Sequence, residues 1–229
     1  MSKSKQITLA LDSTGPTLLA AVSDGEKKFT LRHSGIKQER FLLPLIERAL
    51  AKLQADLTDV KKVFVVRGPG RFTGIRISLT FASMLRELNG TNVAGATLFD
   101  ILRRQAEESH AFLRWKKEHD DGVLAVVLHA FREEYFLQIF DGHQEPPKWM
   151  NRDELLQKIS DCQVPLYAVG TDKDGASLAV LLPSDCRLAP LADCRVRGQT
   201  LLEMAQNPIY EKDALEPLYL KPARFELNK

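Results

Sequence analysis

Residues 62–76 are Lys62-Val-Phe-Val-Val-Arg-Gly-Pro-Gly-Arg-Phe-Thr-Gly-Ile-Arg76, a short apolar run that passes directly into a glycine-rich turn. The run Lys62–Val66 is rich in β-branched residues and predicts a buried strand. After the turn, apolar residues recur at three- and four-residue spacing from Phe72 to Leu88, which predicts an amphipathic helix. Because strands that lead through short turns into helices build α/β proteins, we predict an α/β fold.

The segments on either side extend this pattern. Upstream, Ile7–Asp12, Thr17–Ser23 and Lys27–Arg32 are strand-like segments separated by turn-forming residues, and they predict three antiparallel strands. The apolar spacing of Gln38–Gln54 predicts a first helix, and Asn92–Ala96 follows the second helix as another strand. The order β-β-β-α-β-α-β predicts an N-terminal lobe with a mixed five-stranded sheet.

The second half of the chain alternates strands and helices less regularly. We predict helices at Leu98–His110, from Asn151, at Ala176–Leu182 and at Gln199–Gln206, and strands at Val123–His129, Tyr135–Asp141, Pro165–Val169 and Arg187–Ala189. This alternation predicts two α/β domains, residues 1–98 and residues 99–229.

Composition excludes several classes of protein. The 32 Lys and Arg residues and 30 Asp and Glu residues give a net charge of +2 with interspersed signs, unlike a dedicated electrostatic DNA binder. Apolar runs such as Val123–Leu128 are far shorter than the roughly 20 residues that cross a bilayer. Met1–Ile7 shows neither a signal nor a transit pattern, and the three cysteines lack Cys-x-x-Cys spacing. We therefore expect a cytoplasmic globular protein.

The glycine-rich turn Gly68-Pro-Gly-Arg-Phe-Thr-Gly74 has two interpretations. A strand that ends in small residues before a helix presents backbone N–H groups that bind phosphate. Its spacing matches neither the dinucleotide fingerprint nor a P-loop, so a tight structural turn made by Gly68, Gly70 and Gly74 is favoured. Asp12 has a similar pair of interpretations: a phosphate-loop carboxylate of the actin or sugar-kinase kind, or, more commonly, a turn-stabilising residue.

The predicted helix from Phe72 is apolar over most of its circumference. Gly74, Ser78 and Ala82 form a stripe of small residues, and a narrow polar arc lies beside the apolar positions. Such a helix is covered on more than one side, either by its own sheet and the first helix or by a partner protein. The sequence has no H-E-x-x-H, no other close histidine pair and no G-x-S-x-G, so it offers neither a metal site nor a nucleophile.

Four stretches resemble the TsaB (YeaZ) family, the bacterial partner of TsaD in making threonylcarbamoyladenosine on tRNA. They are Leu9–Ser13, the segment His33-Ser34 with Glu39–Ile46, Gly68–Arg76 and Pro217–Lys221. Ala94–Leu98 extends the match. The chain departs from the family pattern at Arg71, where Ser is common, at Lys221, where Arg is usual, and at His129–Arg132, where Asp-Ala-Arg is frequent.

The resemblance implies an actin-like (ASKHA) fold in two lobes and a non-catalytic subunit without a metal or cofactor of its own. A TsaD-like protein would bind the first two helices, hold the metal and transfer the threonylcarbamoyl group. A TsaE-like ATPase would join the complex, and tRNA would be bound indirectly. No membrane would be involved, and two copies of the chain could form a homodimer when the partner is absent. The residues expected on the partner surface are Arg40, Phe41, Leu45, Arg71, Phe72, Thr73, Arg76, Thr80, Ser83 and Glu87.

The rival interpretation is an enzyme, an actin-fold ATP-dependent phosphotransferase. In that case Asp12 and the loop Gly170–Gly175 would cradle the phosphates of ATP. The Asp-x-Gly hairpin expected in the second lobe is replaced by His129-Ala-Phe131, which weighs against the enzyme.

Overall fold

The computed structural model describes residues 5–35, 37–142, 145–211 and 213–221. Two compact units divide the chain. Of the described residues, one unit comprises 5–98 together with Val196–Leu218, and the other comprises Phe99–Arg195 and Tyr219–Lys221.

The first unit is built on one five-stranded sheet. Its elements are β1 (Ile7–Asp12), β2 (Thr17–Ser23), β3 (Lys28–Ser34), α1 (Leu42–Ala51), β4 (Val60–Val66), α2 (Phe72–Asn89), β5 (Asn92–Ala96) and α6 (Gly198–Met204). The strand order is β3-β2-β1-β4-β5, with β1, β2 and β3 antiparallel and β1, β4 and β5 parallel. The predicted mixed five-stranded sheet is confirmed.

Helices cover both faces of this sheet. Leu18, Ala20 and Val22 of β2 belong to the same core cluster as the buried residues of α1 and α2. On the opposite face, a Cβ atom added at Gly198 of α6 would lie 2.8 Å from the Ala21 Cβ. A strand covered on both faces has a continuous apolar sequence rather than an alternating one, as β1 and β2 do.

The position of α6 differs from the expected boundary of the second domain. The sequence interpretation assigned every residue from 99 onward to that domain, whereas Val196–Leu218 pack in the first unit. The segment returns because Leu201 and Leu202, both buried, require an apolar surface, and α6 finds it on β1, β2 and β3.

The second unit repeats the same sheet order. Its elements are α3 (Leu98–Glu107), α4 (His110–Glu118), β6 (Val123–Phe131), β7 (Glu134–Phe140), β8 (Lys148–Asn151), α5 (Arg152–Ser160), β9 (Leu166–Thr171) and β10 (Arg187–Leu188). The order β8-β7-β6-β9-β10, antiparallel in the first three strands and parallel in the last three, matches that of the first sheet element by element. The predicted α/β fold class is confirmed.

Local differences from the predicted elements have identifiable causes. The segment Gln38–Arg40 is a 3₁₀ turn, and α1 begins only at Leu42, which places Pro44 in the first helical turn where proline is tolerated. The predicted helix at 176–182 is wrong: two 3₁₀ turns occupy Lys173–Gly175 and Leu178–Val180. Within the described ranges, no helix is long and apolar enough to cross a membrane.

Candidate functional site

The first turn of α2 is seated against the loop that joins β1 to β2. The Arg71 N–H donates to the Thr14 carbonyl oxygen at 2.7 Å, and a Cβ atom at Gly70 would lie only 2.7 Å from the Thr14 Cβ. A Cβ atom at Gly74 would overlap the Ser13 carbonyl oxygen. Glycine is required at both positions because the two backbones approach so closely.

Hydrogen bonds reinforce this contact. The Ser13 hydroxyl donates to the Gly74 carbonyl oxygen at 2.7 Å, and it also pairs with the Ser78 hydroxyl. Ser78 and Ala82 are completely buried and face the chain's own interior. The stripe of small residues is therefore covered by the loop and the sheet of this chain.

Asp12 is the last residue of β1, directly before this loop, and is 7% exposed. One of its carboxylate oxygens, Oδ1, accepts hydrogen bonds from the Thr14 N–H at 2.9 Å and from the Thr14 hydroxyl at 2.7 Å. Burial raises the pKa of Asp12, and the hydrogen bonds from Thr14 and the charge of Arg32 oppose that shift. Asp12 thus stabilises a turn by accepting both side-chain and backbone donors of Thr14.

Gly68 contacts a segment that is distant in sequence. A Cβ atom at Gly68 would lie 2.7 Å from the Leu218 carbonyl oxygen, and the Leu218 N–H donates to the Arg67 carbonyl oxygen at 2.8 Å. The Arg67 guanidinium also donates to the carbonyl oxygens of Asp213 and Glu216, at 2.8 and 3.0 Å. The sequence analysis did not predict the roles of Arg67 and Leu218. Arg67 directly precedes the stretch Gly68–Arg76, and Leu218 lies within Pro217–Lys221, which both carry the family resemblance.

The exposed residues of α2 lie on one arc of the helix. We define the α1–α2 surface as Arg40, Phe41, Arg71, Phe72, Thr73, Arg76, Thr80, Ser83 and Glu87; all of these are exposed except Ser83, which is partly exposed. The Arg76 guanidinium lies over the Phe72 ring, 4.9 Å from its centroid. The Phe41 ring stacks on His33 with a centroid distance of 3.9 Å.

Leu45 is the exception among the residues expected on the partner surface. It is 3% exposed and packs in the core cluster with Ile46 and Ala49. The helical period places it on the side of α1 that faces the sheet, so Leu45 does not belong to the α1–α2 surface.

Comparisons with known proteins agree with this architecture. The family model described as TsaD, tRNA N6-adenosine threonylcarbamoyltransferase, matches residues 34–98. The tRNA threonylcarbamoyladenosine biosynthesis protein TsaB of Buchnera aphidicola is 29% identical over 122 residues, which cover 53% of this chain and 54% of that relative. The chain thus matches about half the length of this relative. The resemblance to the TsaB (YeaZ) family is confirmed.

Two solved structures from Pseudomonas aeruginosa are similar in fold to this chain. One, an uncharacterized protein with similarity to peptidase YeaZ, has a TM-score of 0.68 and 17% identity, and the match covers 94% of this chain and 100% of that one. The other, YeaZ, has a TM-score of 0.64 and 19% identity with the same coverage.

The α1–α2 surface combines cations with exposed apolar groups. Arg71 and Arg76 supply positive charge at the start of α2, and Arg40 supplies another just before α1. Two of its residues are large and apolar, with exposed fractions of 40% for Phe41 and 55% for Phe72. Leu43 of α1 and Met84 and Leu88 of α2 lie outside the defined surface and are 42%, 41% and 74% exposed. Aromatic rings, methionine and arginine are the residue types enriched in protein interfaces.

The loop Gly170–Gly175, a phosphate-binding candidate in the enzyme interpretation, is engaged within its own unit. The Gly170 N–H donates to the Cys194 sulfur at 3.3 Å, and the Gly175 N–H donates to the Asp172 carbonyl oxygen at 3.1 Å. The Tyr135 hydroxyl donates to the Asp172 carboxylate at 3.0 Å, and burial together with this bond raises the pKa of Tyr135 to about 12. Among the residues described, no group of three or more His, Cys, Asp or Glu side chains could hold a metal ion.

Proposed function

We propose that this chain is a non-catalytic subunit of the machinery that makes threonylcarbamoyladenosine on tRNA. It binds a TsaD-like protein through the α1–α2 surface and is required for transfer of the threonylcarbamoyl group. A TsaE-like ATPase joins the complex, tRNA is reached through the partner, and a second copy of the chain can occupy the same surface when the partner is absent.

One observation carries the proposal: of the eleven large apolar side chains that are exposed among the described residues, five lie on these two helices or directly before α1. Phe41, Leu43, Phe72, Met84 and Leu88 all belong to α1, to the residue that precedes it, or to α2. An apolar surface rimmed by charged residues is typical of protein–protein contact sites. The family comparisons support the identity of the partner, because the relative from Buchnera aphidicola is a biosynthesis protein for this tRNA modification.

The first test is co-purification with a TsaD-like protein from the same cell, followed by a transfer assay with and without this chain. We expect a stable complex, and transfer only when both proteins are present. A chain that transfers the group alone would contradict the non-catalytic role.

The surface itself is tested by Ser83→Arg, with Ser160→Arg on the exposed end of α5 as the matched control. A long cation on a crowded, desolvated surface should weaken binding by about 2 kcal/mol, roughly thirtyfold. Parent-like melting with at least tenfold weaker binding for Ser83→Arg alone supports the proposal. If Ser83→Arg fails to fold, Thr80→Arg at an exposed position of the same arc takes its place, and unchanged binding would exclude this surface.

The phosphotransferase alternative makes a different prediction for nucleotide binding. The N–H and hydroxyl groups of Thr14 bond to Asp12, and the Gly170–Gly175 loop is likewise internally bonded, so few donors face a phosphate. We expect ATP–Mg to bind the isolated chain weakly or not at all. In calorimetry, a dissociation constant of about 10 µM or tighter, near −7 kcal/mol, would favour the enzyme.

A further inference from the structure

We propose that Asp12 is a positioning residue that fixes the first turn of α2, and with it the α1–α2 surface, through Thr14. This inference rests on the proposed function, because it assigns Asp12 a role in partner binding. Asp12 does not belong to the surface and acts on it only through other residues.

The contacts form a short chain from the carboxylate to the surface. Asp12 Oδ1 accepts from both the N–H and the hydroxyl of Thr14, at 2.9 and 2.7 Å, which holds the backbone and the side chain of this residue in place. The carbonyl oxygen of Thr14 accepts from the Arg71 N–H at 2.7 Å. Arg71 is the N-cap residue of α2, and its side chain is exposed on the α1–α2 surface. The Arg71 side chain makes no capping hydrogen bond, and the backbone bond from the Arg71 N–H to Thr14 ties the start of α2 to the loop.

A second turn in the same unit shows what this motif does in isolation. Asp56 Oδ1 accepts from the Thr58 N–H at 2.8 Å and from the Thr58 hydroxyl at 2.5 Å, the same Asp-x-Thr arrangement as in the first loop. Asp56 is exposed and caps its own 3₁₀ turn, Leu57–Asp59. These hydrogen bonds lower the pKa of Asp56, whereas burial raises that of Asp12.

A comparison of the two Asp-x-Thr turns indicates why the one at Asp12 is buried. A solvated Asp-x-Thr turn needs no burial to form, as the segment at Asp56 demonstrates. Burying an ionised carboxylate is unfavourable, so the buried position of Asp12 does not stabilise the turn itself. The contact of Thr14 with Gly70 and Arg71 requires that position, because the loop must lie directly against α2.

Two substitutions separate hydrogen bonding from charge. Asp12→Asn keeps an acceptor oxygen at the same place and removes the charge, whereas Asp12→Ala removes both. If Asp12 positions α2 by accepting hydrogen bonds, the Asn variant retains function. If its charge acts directly on a cation, a phosphate or the partner, both variants lose function.

The experiment measures the affinity of the full chain for its TsaD-like partner by calorimetry, together with amide hydrogen exchange at Arg71. Loss of a hydrogen-bonded contact should weaken binding about fivefold or more in Asp12→Ala and speed exchange at Arg71. Asp12→Asn should bind within about threefold of the parent, which is below the effect of one lost hydrogen bond. Asp56→Ala, the matched control, should leave both readouts unchanged.

Several outcomes would overturn the inference. Parent-like binding and exchange in Asp12→Ala would show that the loop does not hold α2, and equal losses in the Asn and Ala variants would assign the effect to charge. Where Asp12→Ala does not fold, Thr14→Val removes the hydroxyl donor alone, and parent-like exchange at Arg71 in that variant rejects the role. If the parent chain binds no TsaD-like protein, the proposed function fails, and exchange at Arg71 still decides whether Asp12 positions α2.

Discussion

Gly74→Ala tests the seating of α2 on the β1–β2 loop. In an exposed helix this change would stabilise the protein by about 1 kcal/mol, because alanine has the higher helix propensity. In this structure the added Cβ would overlap the Ser13 carbonyl oxygen and lie 3.3 Å from Gln38 Oε1. The substitution therefore has two opposing effects: it raises the helix propensity of position 74 and disturbs the close contact with Ser13.

The tertiary contact should dominate. Forcing backbone apart in a packed region costs about 1–3 kcal/mol. The shift also strains the bonds of Ser13 to Gly74 and to Ser78, each worth about 1 kcal/mol net. After the gain in helix propensity is subtracted, we expect a net destabilisation of about 3 kcal/mol, or a melting temperature lower by about 6–12 °C.

Thermal unfolding followed by circular dichroism measures this difference, with Gly15→Ala as the control. No atom lies within 4 Å of a Cβ built at Gly15, so that variant should match the parent or gain up to about 1 kcal/mol. A Gly74→Ala variant that melts at or above the parent temperature would refute the close approach of Ser13 to α2.

Three further predictions concern the core, the second unit and pH. Leu45→Ala should destabilise the folded chain by about 2–5 kcal/mol in urea unfolding and leave the partner affinity of the folded protein unchanged, because its side chain is buried. Asn151→Ala should cost about 1 kcal/mol, since it removes the capping box with Glu154; an unchanged urea midpoint would contradict that. Because the pKa of Asp12 is raised, the folded state binds the Asp12 proton more tightly than the unfolded state does. The contribution of Asp12 to the free energy of unfolding therefore falls as the pH rises from the pKa of the unfolded state, about 3.9, to the higher pKa of the folded state. The stability of Asp12→Asn relative to the parent should therefore increase over that pH interval, and a difference independent of pH would contradict the raised pKa of Asp12.

The parts of the fold that sequence predicts well are those with strong local signals. β1, β4, α2 and β5 lie within a few residues of their predicted bounds, because continuous apolar runs and helical spacing report burial directly. Asn151 was expected to begin a helix, and it caps α5 with Glu154.

Tertiary effects account for what the sequence did not reveal. Helical spacing places Leu45 on the apolar face of α1, but it does not indicate whether a partner or the chain's own sheet covers that face. The helix expected at 98–110 continues as α4 after a break, because Ser109 caps a new helix whose Phe112 and Trp115 are buried. The contact of Gly68 with Leu218 joins residues far apart in sequence, and no local pattern records it.

The late arrival of α6 bears on how the protein is made on the ribosome. The five strands of the first sheet and the helices α1 and α2 are complete at Leu98, yet the face of the sheet covered by α6 has no cover until Val196–Leu218 have been synthesised. At translation rates of 5–20 residues per second, that wait lasts about 6–24 s. During this interval the nascent chain presents an apolar sheet face to the cell, which makes the first unit a substrate for chaperones that bind emerging polypeptides.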